Sequence, residues 1–169
     1  MIRTIALLAA SLLLFTLAMN TAAAADEKET RLAELDAYWA EVSRAVQEGD
    51  FEAYAATCHE EGVLVSGSKS TSYPLTTALE KWKQGFADTQ AGRIKASVQF
   101  RFGKRLGDST TAHETGMFLY TSTTPDGEVT EAYIHFEALL VKKDRWRIIM
   151  EYQKSTATRA EWDALAASH

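Results

Sequence analysis

The chain has 169 residues, of which 46% are hydrophobic and 24% charged, and its formal net charge is −5. That length makes one domain with a real core, and a single cysteine, Cys58, excludes an intramolecular disulfide. No basic cluster or aromatic–basic interleaving occurs, so nucleic acid is not an expected partner, and the acidic balance is read as solubility.

The N-terminus begins Met1-Ile2-Arg3, continues with an apolar run over 5–18, and reaches Thr21-Ala22-Ala23-Ala24-Ala25-Asp26. A positive start, an apolar stretch and small residues before Asp26 predict a cleavable signal peptide, residues 1–25. The apolar run is shorter than the roughly 20 residues that cross a bilayer. Cleavage after Ala25 leaves 144 residues (169 − 25), expected to be periplasmic or secreted and off the membrane.

Over 31–48 the residues Leu32, Leu35, Trp39, Val42 and Val46 recur at steps of three and four, which predicts a helix with one apolar stripe. Gly49 suits the residue after a helix and Asp50 the cap of the next. A second helix is expected to bury Phe51, Tyr54, Ala55 and Cys58 and to end at Gly62. Cys58 reads there as a buried apolar thiol. Val63-Leu64-Val65 predicts a short strand. A third helix starts near Pro74, with Leu75, Leu79, Trp82 and Phe86 on one face and Thr77 with Glu80 as a capping box, and Gly92 closes it.

After Arg93 the period changes to two. Ile94, Ala96, Val98, Phe100 and Phe102 alternate with polar residues, giving a half-buried strand. Gly107-Asp108, Pro125-Asp126-Gly127 and Lys143-Asp144 turn the chain into three more strands, over about 109–122, 128–142 and 145–155. Thr158 and Glu161 have capping-box spacing before Trp162, so a short C-terminal helix is expected. The fold class is therefore α+β: three N-terminal helices packed on the concave face of a strongly curved antiparallel sheet, leaving a cone with an open mouth, within a single domain over 26–169.

Two stretches carry a resemblance. Gly49-Asp50-Phe51-Glu52-Ala53-Tyr54, with Cys58 four residues on, is similar to the helix–helix junction of the calcium/calmodulin-dependent protein kinase II association domain. Lys142-Lys143-Asp144-Arg145-Trp146-Arg147-Ile148-Ile149 resembles the last hairpin of the nuclear transport factor 2-like (NTF2-like), or SnoaL-like, superfamily, with the usual glycine missing. The resemblance spans about residues 30–156 and implies a conical pocket used for isomerisation, dehydration, ligand binding or assembly. Aligned on Gly49-Asp50, the ketosteroid isomerase base falls on Ser66, its tyrosines on Val42 and Cys58, and its third-strand acid near Leu139. The association domain's pocket arginines fall on Met117, Ala138 and Gln153. None of these positions matches, which argues against both a steroid isomerase and an anion site.

This register turns Arg147, Ile149, Glu151 and Gln153 of the last strand inward, with Trp146, Ile148, Met150 and Tyr152 outward. It also sends His113, Thr115, Met117 and Leu119 of the second long strand inward. Trp39, Trp82 and Phe86 complete the expected walls, so the pocket set is Trp39, Trp82, Phe86, Thr115, Met117, Ile149 and Gln153. Glu151 and His113 are the candidate general bases; an ion pair with Arg147 is the structural alternative for Glu151. His135 and Glu137 share a strand face, but a metal site lacks a third ligand, and neither metal nor cofactor is expected. Tyr120, Ile134, Phe136 and Leu140 are expected on an outer apolar face that closes a homodimer. The expected function is the holding of a small, mostly apolar ligand without catalysis; a base-catalysed isomerase or dehydratase and a self-associating module are the alternatives.

Overall fold

The computed structural model describes the backbone of residues 2–166 and the side chains of residues 25–165. Apart from Ala25, the expected signal segment lies outside the described side chains. The elements run α1 (Ile2–Glu48), α2 (Phe51–Ala56), β1 (Cys58–Ser66), β2 (Thr71–Pro74), α3 (Leu75–Gln90), β3 (Lys95–Gly107), β4 (Thr111–Thr123), β5 (Val129–Lys142), β6 (Trp146–Thr156) and α4 (Arg159–Ala166). The strands form one six-stranded sheet in the order β2-β1-β6-β5-β4-β3. The expected meander is present as β3 to β6, all antiparallel. β1 extends it by pairing parallel with β6 and antiparallel with β2.

The α1–α2 corner follows from its two residues. Gly49 takes φ +70°, and the Asp50 carboxylate accepts the Ala53 N–H at 3.0 Å, stopping one helix and capping the next. A Cβ on Gly49 would run into the backbone of Phe86 and Gln90, so this corner also seats α3. Gly49→Ala is expected to cost about 1–3 kcal/mol in urea denaturation, from the positive φ together with that collision. An unchanged midpoint would mean that the corner can shift freely.

One boundary and one cap differ from expectation. α2 stops at Ala56 rather than Gly62, because the Thr57 carbonyl accepts the Ile148 N–H at 3.0 Å and Cys58 enters the sheet opposite Ile148. Pairing with β6 outweighs the local helical pattern. α3 begins at Leu75 behind Pro74, with no side-chain cap bond, so Thr77 and Glu80 form no capping box. At the C-terminus the box is real: Glu161 N–H donates to Thr158 Oγ1 at 3.2 Å, and Thr158 N–H to Glu161 Oε2 at 2.7 Å.

α1 and α3 cover the concave face. Leu35, Trp39, Val42, Leu75, Phe136, Ala138, Leu140, Trp146 and Ile148 make one buried cluster there. The convex face is covered in part by α4, whose buried Trp162 lies 4.1 Å under the Arg101 guanidinium and 6.0 Å from the Tyr133 ring.

Bulges set which residues face inward. Phe102 pairs with Gly116 but Lys104 with Thr115, so Gly103 is the extra residue. Leu139 pairs with Met150 but Leu140 with Ile148, leaving Ile149 extra; likewise Lys154 is extra between the Gln153 and Ser155 pairs. Each bulge bends its strand and reverses the side-chain alternation beyond it. The curvature that opens the cone thus comes from the same residues that reset the faces.

Candidate functional site

Between the helices and the concave sheet lies a cavity of about 490 Å³. α1 supplies Tyr38, Trp39, Val42 and Val46, α2 supplies Tyr54, and α3 supplies Lys81, Trp82, Gly85, Phe86 and Thr89. The sheet supplies Cys58, Ala96, Val98, Phe100, Phe118, Tyr120, Ala132, Ile134, Phe136, Ile148, Glu151 and Gln153. The walls are mostly rings that touch one another: Trp39 and Phe100 centroids are 4.4 Å apart, Tyr54 and Phe86 4.9 Å, and Tyr54 and Trp82 6.0 Å. Exposed Lys81 stands at the rim, its Nζ 4.4 Å from the Tyr73 ring centroid. The size and the apolar walls with a few polar groups are those of a small-molecule site.

Of the expected wall residues, Trp39, Trp82, Phe86 and Gln153 line the cavity; Thr115, Met117 and Ile149 do not. The reason on β4 is the Gly103 bulge. Counted from the β3–β4 turn without it, Met117 falls opposite Phe102 and Leu119 opposite Phe100. With it, Gly116 and Phe118 take those places, and Ala112, Glu114, Phe118 and Tyr120 face inward. Met117 is instead buried on the outer face, between Arg101 and His135 in the register, where both contact α4. On β6 the extra Ile149 lets Ile148 and Glu151, three residues apart, both face inward. Trp146 is inward as well, its Nε1 donating to Glu34 Oε2 at 2.9 Å. Tyr120, Ile134 and Phe136 line the cavity and Leu140 is in the core, so none of the four forms an outer dimer face.

The two candidate bases separate. His113 lies outside the cavity, its Nε2 3.3 Å from Glu137 Oε2 on the convex face, and Glu137 also receives Lys154 at 2.7 Å. His135 faces Glu161 on α4 at 3.4 Å, so His135 and Glu137 serve different partners. Glu151 does reach the cavity, and it is not paired with Arg147. That arginine binds Asp144 across the β5–β6 turn at 2.9 Å. Among the described residues, the partner of Glu151 is the neutral amide of Gln153, which donates to Oε1 at 2.7 Å.

A carboxylate without a cation in an aromatic enclosure is costly to ionise. Burial pushes the Glu151 carboxyl above the usual glutamate range, against the smaller opposing effect of the Gln153 bond. Its neighbours are displaced too. Burial first, then the nearby Glu151 charge, raise the Cys58 thiol to about 12. The same two causes raise the Tyr54 hydroxyl, and burial with Cys58 and Glu151 raises that of Tyr38. Cys58 is therefore a neutral thiol on a cavity wall, not a nucleophile. The Tyr38 hydroxyl donates to the Thr57 carbonyl at 3.2 Å. Tyr38 and Tyr54 were absent from the sequence-based set, although both fall on the predicted helix faces beside Trp39 and Phe51.

A second depression, of about 520 Å³ and more open, lies outside α1 against the β5–β6 turn. In it Lys142 Nζ bonds both Glu34 oxygens at 2.6 Å.

No protein-family model and no curated protein matches the chain. Solved structures do. A nuclear transport factor 2-like protein of unknown function from Shewanella oneidensis shares 17% identity over 72% of this chain and 97% of that one, with a TM-score of 0.56. The fold is NTF2-like. A conserved protein from Planctomyces limnophilus superposes with a TM-score of 0.63 at 11% identity, covering 73% of this chain and 94% of the other. A ketosteroid isomerase-like protein from Erwinia carotovora atroseptica gives 0.51 at 18% identity, covering 72% and 92%. Within this NTF2-like fold, Ser66 is absent from the cavity lining, and Leu139, 38% exposed, lies on the outer face.

Proposed function

We propose that this NTF2-like domain binds a small, largely apolar molecule in its cone and holds one polar atom of that molecule against Glu151. The observation that carries this reading is a cavity of about 490 Å³, walled by rings, whose one carboxylate has no cation among the described residues. Saturable quenching of Trp39 and Trp82 fluorescence by 2-naphthol, abolished when Ala132→Trp fills the cavity, is the expected result; Ala132→Leu serves if the tryptophan disturbs folding. Absence of saturable quenching in the folded wild type ends the reading. We propose further that the domain acts after export to the periplasm or outside the cell, a reading supported by the sequence of residues 1–25. A homodimer is proposed with it, and its remaining structural support is the exposed Leu139 on the outer sheet face. A monomer in sedimentation at micromolar concentration contradicts that part.

The raised carboxyl of Glu151 favours a second reading, proton transfer to and from a bound carbonyl compound. Accelerated deuterium exchange of 2-indanone, lost in Glu151→Gln, supports it; exchange at the uncatalysed rate excludes it for such ketones.

Unpaired burial of Glu151 also has a signature in stability. A carboxyl whose pKa is raised on folding destabilises the native state once it ionises. The cost is absent below the unfolded-state value, grows as pH rises through the folded value, and then stays constant. Glu151→Gln is therefore expected to raise Tm by about 3 °C at pH 7.5, on the order of 1 kcal/mol, and to match the wild type at pH 4 and below. Equal melting temperatures at pH 7.5 would show that Glu151 is adequately solvated.

A further inference from the structure

Resting on that reading, we infer that the molecule the cone accepts is a lipophilic amine, bound as its ammonium ion between Glu151 and the surrounding rings. The cavity wall carries one acid and, apart from Lys81 at the rim, no base. The cations of the neighbouring strands are taken: Arg147 by Asp144, Lys154 by Glu137 and Lys142 by Glu34. Glu151 Oε1 is held by Gln153, and no donor among the described residues reaches Oε2. Gln153 thus fixes the carboxylate without neutralising it, leaving a charge and an acceptor for the ligand to complete.

The rings fit the same class. Tyr38 and Tyr54 lie close enough to Glu151 to respond to its charge, and Tyr54 packs edge-on against Trp82 and tilted against Phe86. Aromatic π-systems beside a half-buried carboxylate favour an organic cation twice, by ion pairing and by cation–π attraction. A carboxylate or phosphate group placed at Glu151 would meet like charge. A neutral alcohol would gain one hydrogen bond and leave Glu151 without a counter-charge.

The test uses three compounds of one shape: 4-phenylbutylamine, 4-phenylbutan-1-ol and 4-phenylbutyrate, titrated calorimetrically at pH 7.5. The amine is expected to bind at least tenfold more tightly than the alcohol, and the carboxylate most weakly. Glu151→Gln, shown folded by its melting curve, is expected to abolish the amine's advantage, so that amine and alcohol then bind within threefold of one another. Amine binding should also lower the pH at which Glu151 titrates, because the ligand's charge stabilises the ionised carboxylate. Equal affinities for amine and alcohol, or a preference that survives Glu151→Gln, overturn the inference and leave the neutral-ligand cavity standing. Failure of all three, and of 2-naphthol, removes the binding reading itself.

Discussion

Glu114→Ala is expected to lower stability by about 3–5 kcal/mol, the range for breaking a buried ion pair by removing one partner. Glu114 is 0% exposed beneath α1. It accepts the indole N–H of Trp39 through Oε2 and the Arg105 Nε through Oε1. Without it, Trp39 keeps a buried donor with no acceptor, and Arg105 keeps a charge shared with Asp36 alone. Asp36 is 63% exposed, so solvent screens that pair and it compensates little. Glu114→Gln retains an acceptor for Trp39 and should lose less than alanine does. Urea denaturation with an unchanged m-value measures both; a loss below about 1 kcal/mol for alanine would mean that water reaches the pair. Trp39 is also a cavity wall, so the alanine variant should weaken ligand binding by loosening that ring.

Phe136→Ala is expected to cost about 3–5 kcal/mol, from the lost apolar burial together with the space left behind. Phe136 is 2% exposed and central to the ring cluster, with centroids 5.7 Å from those of Trp39, Phe100 and Phe118. These neighbours stand on three different elements and cannot all collapse into the gap. Because Phe136 also lines the cavity, the vacated volume joins it, and the variant should accept a bulkier ligand than the wild type. Denaturation together with the affinity for a three-ring probe checks both halves. A loss below about 1.5 kcal/mol would show that the neighbouring rings close the gap.

Local chemistry made most of the architecture readable. Gly49-Asp50 marks the helix corner because one residue tolerates positive φ and the next caps. The alternation from Ala96 to Phe102 marks β3 and its inward face. Thr158 and Glu161 announce α4. The site was readable where it rests on helices, since Trp39, Trp82 and Phe86 keep a single period from core to cavity. It was misread on β4 and the N-terminal half of β6, because alternation carries over only while the ladder is regular. One extra residue at Gly103 moved Thr115 and Met117 to the outer face, and another at Ile149 turned Trp146 and Ile148 inward while Glu151 stayed inside. A glycine within an otherwise strict alternating run, as in Phe102-Gly103-Lys104, was the visible sign of the first bulge. Ile149 gave no such sign. Cys58 was misplaced for another reason: its helical spacing from Tyr54 is genuine, but β6 offers the chain a hydrogen-bonded partner that the spacing does not reveal.

The central claim is that Glu151 is an uncompensated carboxyl facing a hollow that admits a small molecule. Its most direct test is carbon-13 NMR of the glutamate side-chain carboxyls, with Glu151→Gln identifying the resonance. The account predicts a midpoint above the ordinary glutamate range and a shift of that resonance as 2-naphthol is titrated in. A carboxyl that titrates like free glutamate and ignores the probe would contradict it.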